Sequence, residues 1–175
     1  MKFYFENLDN ETRELMISEI NSDISKGQLY FSKRFNENGY RLYPKLLLDA
    51  VESGNEESLA IALKQNNCFA DKEERKGKNG ITYAKIPETA NQTLAESEFN
   101  RFYIRGLALR AIASGQALTI CRARHSDNPR IESEMMIGRQ VSADELLNDL
   151  RNNIGVDTVF GLPPGPNSGL SVKLN

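Results

Sequence analysis

One stretch of the chain, residues 88–114, constrains the fold more than any other part. It contains one glycine, Gly106, and no proline, and it is followed by Gly115. Its apolar side chains recur at steps of three and four residues, which is typical of an amphipathic helix. The stretch predicts a helix of about 25 residues, roughly 37 Å long at 1.5 Å per residue. In a chain of 175 residues, such a helix predicts the spine of a single domain.

The predicted core joins this helix to two later elements. A strand is predicted at residues 117–123, and a helix is predicted from Ala143 to Asn153 because Ser142 and Glu145 form a capping box in front of it. Inside the long helix, the glycine predicts either a close helix contact or a kink. The predicted core residues are Leu94, Phe102, Leu107, Ile112, Leu118, Ile120, Leu146, Leu147 and Leu150.

Helices also dominate the predictions for the first part of the chain. Apolar spacing predicts a helix over residues 9–26, with an asparagine or aspartate just before it as the N-cap. Residues 28–43 are rich in aromatic side chains and are predicted as a loop or a small hairpin. Pro44 suits a first helical turn, so a second helix is predicted from Pro44 to about Glu52. Asn55 is predicted to cap a third, short helix.

Several short strands are predicted as well. Residues 71–80 are polar and predicted to be flexible, but Lys78-Asn79-Gly80 is typical of a hairpin turn and residues 81–86 alternate as a strand does. Residues 131–141 are predicted as a further strand. The order of elements therefore predicts an α+β fold, in which a long central helix packs on a small mixed or antiparallel sheet.

The predicted domain organisation is a single α+β domain over residues 1–160 and an extended tail over residues 161–175. Three prolines and three glycines between Gly161 and Gly169 exclude a helix there. The alternating apolar residues after Gly169 predict a terminal strand. That strand is predicted either to pair within its own sheet or to add to the sheet of a neighbouring chain.

Charge and hydropathy exclude several classes of protein. Residues 1–87 hold thirteen basic and fourteen acidic side chains, and residues 88–175 hold nine and ten. Neither half is therefore a basic arm for non-specific binding to nucleic acid or anionic lipid. Apolar runs are only a few residues long, which predicts no membrane-spanning segment, and the N-terminus lacks the apolar core of a signal peptide.

The two cysteines, Cys68 and Cys121, form no CxxC pair. They predict neither a disulfide scaffold nor a cysteine-based zinc site, and they suit a reducing compartment. With a single histidine in the chain, we expect no metal site and no cofactor. The expected location is the cytoplasm, or the virion if a phage encodes the protein.

Arginine is concentrated in the middle of the chain. Between Asn100 and Arg130 there are six arginines, no lysine and one acidic residue. Arginine is preferred where a planar group must hold a carboxylate or a phosphate, so this stretch predicts a site for an anion or a protein partner. The interpretation that we favour is pairing within the chain, to Glu96, Glu98, Glu132 and Glu134. The candidate binding residues are Arg101, Arg105, Arg122, Arg124 and Arg130.

A catalytic site is the alternative prediction. His125 is a candidate general base because flanking arginines disfavour its protonated form. Glu132 and Glu134 would share a face if they lay on a strand. Their Glu-Ser-Glu sequence resembles the Glu-x-Glu element of ADP-ribosyltransferases, which implies a carboxylate- and arginine-based enzyme. The sequence has no counterpart of that family's arginine strand and Ser-Thr-Ser strand. Because it also has no metal-ligand cluster, phosphate loop or nucleophile motif and only one histidine, we favour a non-enzymatic protein.

Three segments resemble uncharacterised proteins of bacterial genomes and prophages: residues 93–105, 128–134 and 161–171. The resemblance implies no catalytic residue, and it favours a phage- or prophage-type virion structural or assembly component. We therefore predict a protein-interaction or assembly protein with a protein partner or a second copy of itself. Binding to nucleic acid through an arginine-rich module is an alternative that we do not favour.

Overall fold

The computed structural model describes residues 3–78, 80–155, 161–162 and 168–175. Within these residues the chain forms six helices and five strands in an α+β arrangement. The helices are α1 Asn10–Ser25, α2 Glu37–Ser53, α3 Glu56–Gln65, α4 Ala90–Ser114, α5 Ile131–Met136 and α6 Ala143–Asn152. The strands are β1 Lys72–Gly77, β2 Gly80–Lys85, β3 Leu118–Arg122, β4 Gln140–Val141 and β5 Leu170–Leu174.

The long helix α4 is the centre of the molecule, as predicted. It packs against α1, α3, α6 and β5. It ends at Gly115, whose left-handed backbone (φ +68°) directs its amide to the carbonyl oxygen of Ala111. Every residue from Glu98 to Ala108 is buried. The amphipathic spacing therefore understates the burial of this helix, because neighbouring elements surround its middle turns.

Gly106 marks a close contact between α4 and α1. A Cβ atom at this position would lie 3.1 Å from the carbonyl oxygen of Thr12 and 3.2 Å from the amide nitrogen of Met16. Both atoms belong to the backbone of α1, which leaves little room for a side chain. Of the two predictions for this glycine, the close contact is confirmed.

Side-chain caps begin α1, α3 and α6 where the sequence predicts them. Asp9 caps α1 by accepting a hydrogen bond from the amide of Thr12. Asn55 and Ser58 form a reciprocal capping box at α3. Ser142 accepts from the amide of Glu145 at α6. Each cap satisfies amides that have no partner within the helix.

The prediction for α2 is wrong at its start. The helix begins at Glu37 rather than Pro44, because Asn36 caps it by accepting from the amide of Gly39. Pro44 therefore lies inside the helix, where it removes one backbone hydrogen bond. The fully buried side chains of Tyr43 and Leu47, one turn apart, pack into the core and offset that loss.

Two sheets are present among the described residues. β1 and β2 form a separate antiparallel hairpin, and the second sheet has the order β4-β3-β5 with antiparallel pairs. The prediction of a hairpin at the Lys78–Gly80 turn is confirmed, but residues 72–77 form a strand rather than a flexible segment. β5 pairs along the whole of β3, so the terminal strand belongs to the sheet of its own chain.

The strand predicted over residues 131–141 is mostly wrong. Residues 131–136 form α5, and only Gln140–Val141 pairs with β3. Ile131 and Met135, two large apolar residues of this segment, lie on α5 with exposed side chains. The predicted core is confirmed except for Ile112. This residue is 41% exposed because it lies beyond the buried middle of α4.

Candidate functional site

Arg105, predicted to bind an anion or a partner, is buried between α4 and α1. Its Nη1 and Nη2 donate to the Oδ2 and Oδ1 of Asp23 at 2.6 and 2.8 Å. Its Nε donates to the Oε2 of Glu19 at 2.7 Å, and Arg151 donates to the same oxygen at 3.0 Å. The guanidinium also lies 4.9 Å from the centre of the Phe102 ring. Burial opposes its charge, but these carboxylates raise the pKa of Arg105 overall.

Arg101 is buried one turn earlier. Its Nε lies 3.4 Å from the Oε1 of Glu98, and its Nη1 donates to the carbonyl oxygen of Asn153 at 3.1 Å. Burial raises the pKa of Glu98 although Arg101 opposes the shift. Arg101 and Arg105 therefore hold helices together in the interior, and neither presents its charge to a ligand at the surface.

The remaining candidate arginines lie elsewhere and do not join a common cluster. Arg122 pairs with Glu134, and its Nη1 donates to the carbonyl oxygen of Ser168 at 2.5 Å. Arg124 pairs with Glu96 at 3.0 Å. Arg130 is exposed. Pairing within the chain thus occupies four of the five arginines, with Glu96, Glu98 and Glu134 among their partners as we expected.

The residues of the catalytic alternative are also not assembled into one site. Glu132 and Glu134 lie on α5, where residues two apart point in different directions, so the predicted shared strand face is wrong. Glu132 is exposed, and Glu134 holds Arg122. His125 lies in an exposed turn, 3.1 Å from the Oδ1 of Asp127.

Concavities lie on both sides of the contact between α3 and α4 in the described part of the chain. One of about 450 Å³ lies at the base of the β1–β2 hairpin and is lined by α3, the residues after β2 and the start of α4. The other, of about 690 Å³, lies between α3 and the first turns of α4. His125, Glu132 and Glu134 line neither concavity.

The feature of the surface that points to a function is the β1–β2 hairpin. Its six residue pairs run from Lys72 opposite Lys85 to Gly77 opposite Gly80. Almost every residue of both strands is exposed, and among them Ile81 and Tyr83 are 59% and 70% exposed. An isolated two-stranded hairpin has little stability in water. Ile81 and Tyr83, two positions apart, share one face of this two-stranded sheet and leave two large apolar side chains open to solvent there.

The hairpin is fixed to the body of the protein at its base. Arg34 donates from Nε to the Oε2 of Glu73 at 2.6 Å, and Arg75 donates from Nη2 to Oε1 at 2.7 Å. These hydrogen bonds lower the pKa of Glu73 to about 2. Next to them, Phe35 and Phe69 form an isolated antiparallel bridge. These contacts hold the base of the hairpin against the residues that precede α2.

The register shows which backbone groups of β2 face outwards. The amide of Ile86 donates to the carbonyl oxygen of Asp71 at 3.1 Å, so that pair is hydrogen-bonded. Hydrogen-bonded and non-hydrogen-bonded pairs alternate along an antiparallel ladder. Thr82 therefore directs its backbone groups to β1, whereas Ile81 and Tyr83 direct theirs to the open edge.

The two edges of the hairpin differ in charge. All residues of β1 from Lys72 to Lys76 are charged, and charged side chains on an edge strand discourage pairing with another chain. β2 has no charge from Gly80 to Ala84. The sequence predicted the turn and this strand, but the open edge was missed because a local pattern does not reveal which neighbours a strand lacks.

Comparison of the chain with protein families, with curated proteins and with solved structures finds no match. In the described ranges, no helix has an apolar stretch sufficient to cross a membrane. Those same ranges contain no group of three or more histidine, cysteine, aspartate or glutamate residues placed to hold a metal ion.

Proposed function

We propose that this chain is a protein-interaction or assembly protein that binds through the open edge of β2. The observation that supports the proposal is the exposure of Ile81 and Tyr83 on a strand that has no charge from Gly80 to Ala84 and whose outward backbone groups pair with no described residue. Strand addition to such an edge combines backbone hydrogen bonds with side-chain contacts at alternate residues. A virion structural or assembly component of phage type is the specific role that the resemblance of residues 93–105, 128–134 and 161–171 favours.

The arrangement of the other candidate residues is consistent with this role rather than with the alternatives. An anion or nucleic-acid site needs cationic groups that are free at the surface. Arg101 and Arg105 are instead buried in ion pairs. A carboxylate enzyme needs its acidic groups gathered in a cleft, whereas Glu132 is exposed on α5.

Photo-crosslinking in cells that make the protein tests the proposal. A photoreactive phenylalanine derivative replaces Tyr83 in one version and Tyr4, which is 75% exposed, in a matched control. We expect discrete protein adducts from position 83 that are absent from position 4. The adducts must also disappear when Ile81→Pro removes an outward amide from the same edge.

Adducts that form equally from both positions, or that survive Ile81→Pro, would contradict the proposal. The mass of each adduct identifies its partner. An adduct of twice the chain mass is a second copy, and any other mass is a different protein.

A further inference from the structure

We infer that the partner of the β2 edge is a second copy of this chain, paired antiparallel about Thr82. The two hairpins then form one four-stranded sheet in the order β1-β2-β2-β1. This inference rests on the proposed function, since it names the partner of the same edge. It follows from the backbone register, from the side chains and from the charges of the hairpin.

The backbone register permits this pairing. A two-fold axis through Thr82 places Ile81 of one copy opposite Tyr83 of the other. Both residues direct their amide and carbonyl groups outwards, so each of these two pairs can exchange two hydrogen bonds. Thr82 of one copy lies opposite Thr82 of the other as a non-hydrogen-bonded pair. This agrees with the register, in which the backbone groups of Thr82 point to β1 of the same chain.

The side chains match in the same register. Ile81 opposite Tyr83 is a β-branched residue against an aromatic one, and Thr82 opposite Thr82 is a threonine pair, both of which stabilise antiparallel sheets. The four exposed apolar side chains of two copies gather on one face of the joined sheet. A two-fold axis through Tyr83 would instead place Ile81 opposite the charged Lys85.

The charges of the hairpin favour the antiparallel arrangement. The tip of each hairpin carries the exposed Lys76 and Lys78. Antiparallel pairing keeps the two basic tips apart and places each tip beside the base of the other hairpin, where the exposed carboxylates of Asp71 and Glu88 balance Lys72 and Lys85. The charged edge of β1 does not take part, so the sheet ends after four strands instead of extending into a fibre.

The association is tested with the purified chain by sedimentation equilibrium across a range of concentrations. We expect a reversible dimer, weak because two hairpin edges bury less area than a standard interface. Ile81→Pro keeps the amide of Thr82 for β1 and is expected to weaken dimerisation about tenfold or more. Ile81→Thr is expected to weaken it as well, whereas Ile61→Thr, at a residue 55% exposed on α3, is expected to have no effect.

Disulfide crosslinking tests the register and does not depend on the proline variant. Directly opposite non-hydrogen-bonded residues have Cα atoms about 4.5 Å apart, which suits a disulfide. Thr82→Cys is expected to crosslink to itself under mild oxidation. Ile81→Cys and Tyr83→Cys are expected to crosslink faster when mixed than either does alone, and the unsubstituted chain, with buried Cys68 and half-buried Cys121, serves as the control.

Three results would overturn the inference. A monomer at every concentration, a dimer unaffected by Ile81→Pro, or a Tyr83→Cys self-crosslink faster than that of Thr82→Cys would each contradict it. If the chain is monomeric but position 83 crosslinks to a different protein in cells, the proposed function stands and only the self-pairing is wrong. If no adduct of any mass depends on the β2 edge, the proposed function itself is wrong.

Discussion

Arg105 and Asp23 bind each other through two parallel hydrogen bonds, of 2.6 and 2.8 Å, in the interior between α4 and α1. Both side chains are almost completely buried. Planar guanidinium and carboxylate groups form such a bidentate pair in one relative orientation. The pair therefore specifies how α1 lies along α4, and Glu19 and Arg151 extend the same network to α6.

Replacing Arg105 is expected to destabilise the protein severely. Arg105→Met keeps much of the side-chain volume but leaves Asp23 buried without its counter-charge and Glu19 with Arg151 alone. Breaking a buried pair in this way costs about 3–5 kcal/mol of unfolding free energy. Denaturant unfolding followed by circular dichroism measures the loss.

The matched control for that experiment is Arg110→Met on the same helix. Arg110 pairs with Asp9 and Glu11 near the surface, where both carboxylates are more than half exposed. Such pairs contribute about 1 kcal/mol or less. An equal loss of stability in the two variants would contradict the role assigned to the buried pair.

The stability of the protein is expected to fall in acid partly through Glu19. Burial opposes ionisation of this carboxyl, but hydrogen bonds from Arg151 and attraction to Arg105 hold its pKa below the ordinary value of 4.5. A lowered folded-state pKa means that the stabilisation is complete above pH 4.5 and disappears as the pH falls through the folded value.

Glu19→Gln removes this contribution to the pH dependence of stability, because a glutamine side chain does not bind a proton in this range. The variant is expected to be less stable than the parent at pH 7 and to lose less stability between pH 5 and pH 3. Unfolding free energies measured across that range check the slope. Parallel curves for the two proteins would exclude Glu19 as a source of the acid sensitivity.

Aspartate substitutions at two positions of α4 are expected to differ in their effect on stability, because one position is buried and the other is exposed. Leu107 is fully buried, so Leu107→Asp places a charge in the interior without a partner and is expected to cost several kcal/mol, enough to unfold the chain. Ile112→Asp, at a position 41% exposed, is expected to leave the fold intact. Melting curves of the two variants test this, and a folded Leu107→Asp protein with an unchanged Tm would contradict the position of α4.

Gly106→Ala is expected to destabilise the protein although alanine favours helices. The added methyl group would crowd the backbone of α1 at Thr12 and Met16, and crowding of a packed interface costs about 1–3 kcal/mol. Ala113→Gly, at an exposed position of the same helix, isolates the propensity effect of about 1 kcal/mol. If Gly106→Ala raises the unfolding free energy, the contact between the helices is looser than the geometry indicates.

The predictions from sequence succeeded where the signal is local. Gly115 ends α4, Asp9 and Asn55 begin their helices, and the Lys78–Gly80 turn joins β1 to β2. In each case a residue acts on backbone groups within a few positions of itself. Local signals of this kind are enough to predict an α+β fold with one long helix.

The predictions failed where a distant partner decides the outcome. Arg105 lies 82 positions from Asp23, and nothing near either residue in the sequence indicates that they meet. Pro44 predicted the start of a helix, yet α2 begins seven residues earlier and includes Pro44, because Tyr43 is buried in the core. The strand predicted over residues 131–141 is mostly the helix α5, since only Gln140–Val141 finds a partner strand, and that partner, β3, lies about 20 positions earlier.

The pairing of β5 with β3 also bears on the order in which the protein can fold during its synthesis. Asn100 is buried at the centre of α4, and its side chain accepts from Ser171 and donates to the carbonyl oxygen of Leu170. A ribosome must therefore add about 70 further residues before this amide finds its partners and the open edge of β3 is covered. Until then β5 is missing from the elements that pack against α4. We therefore expect the nascent chain to reach its native packing only after residue 174 has emerged.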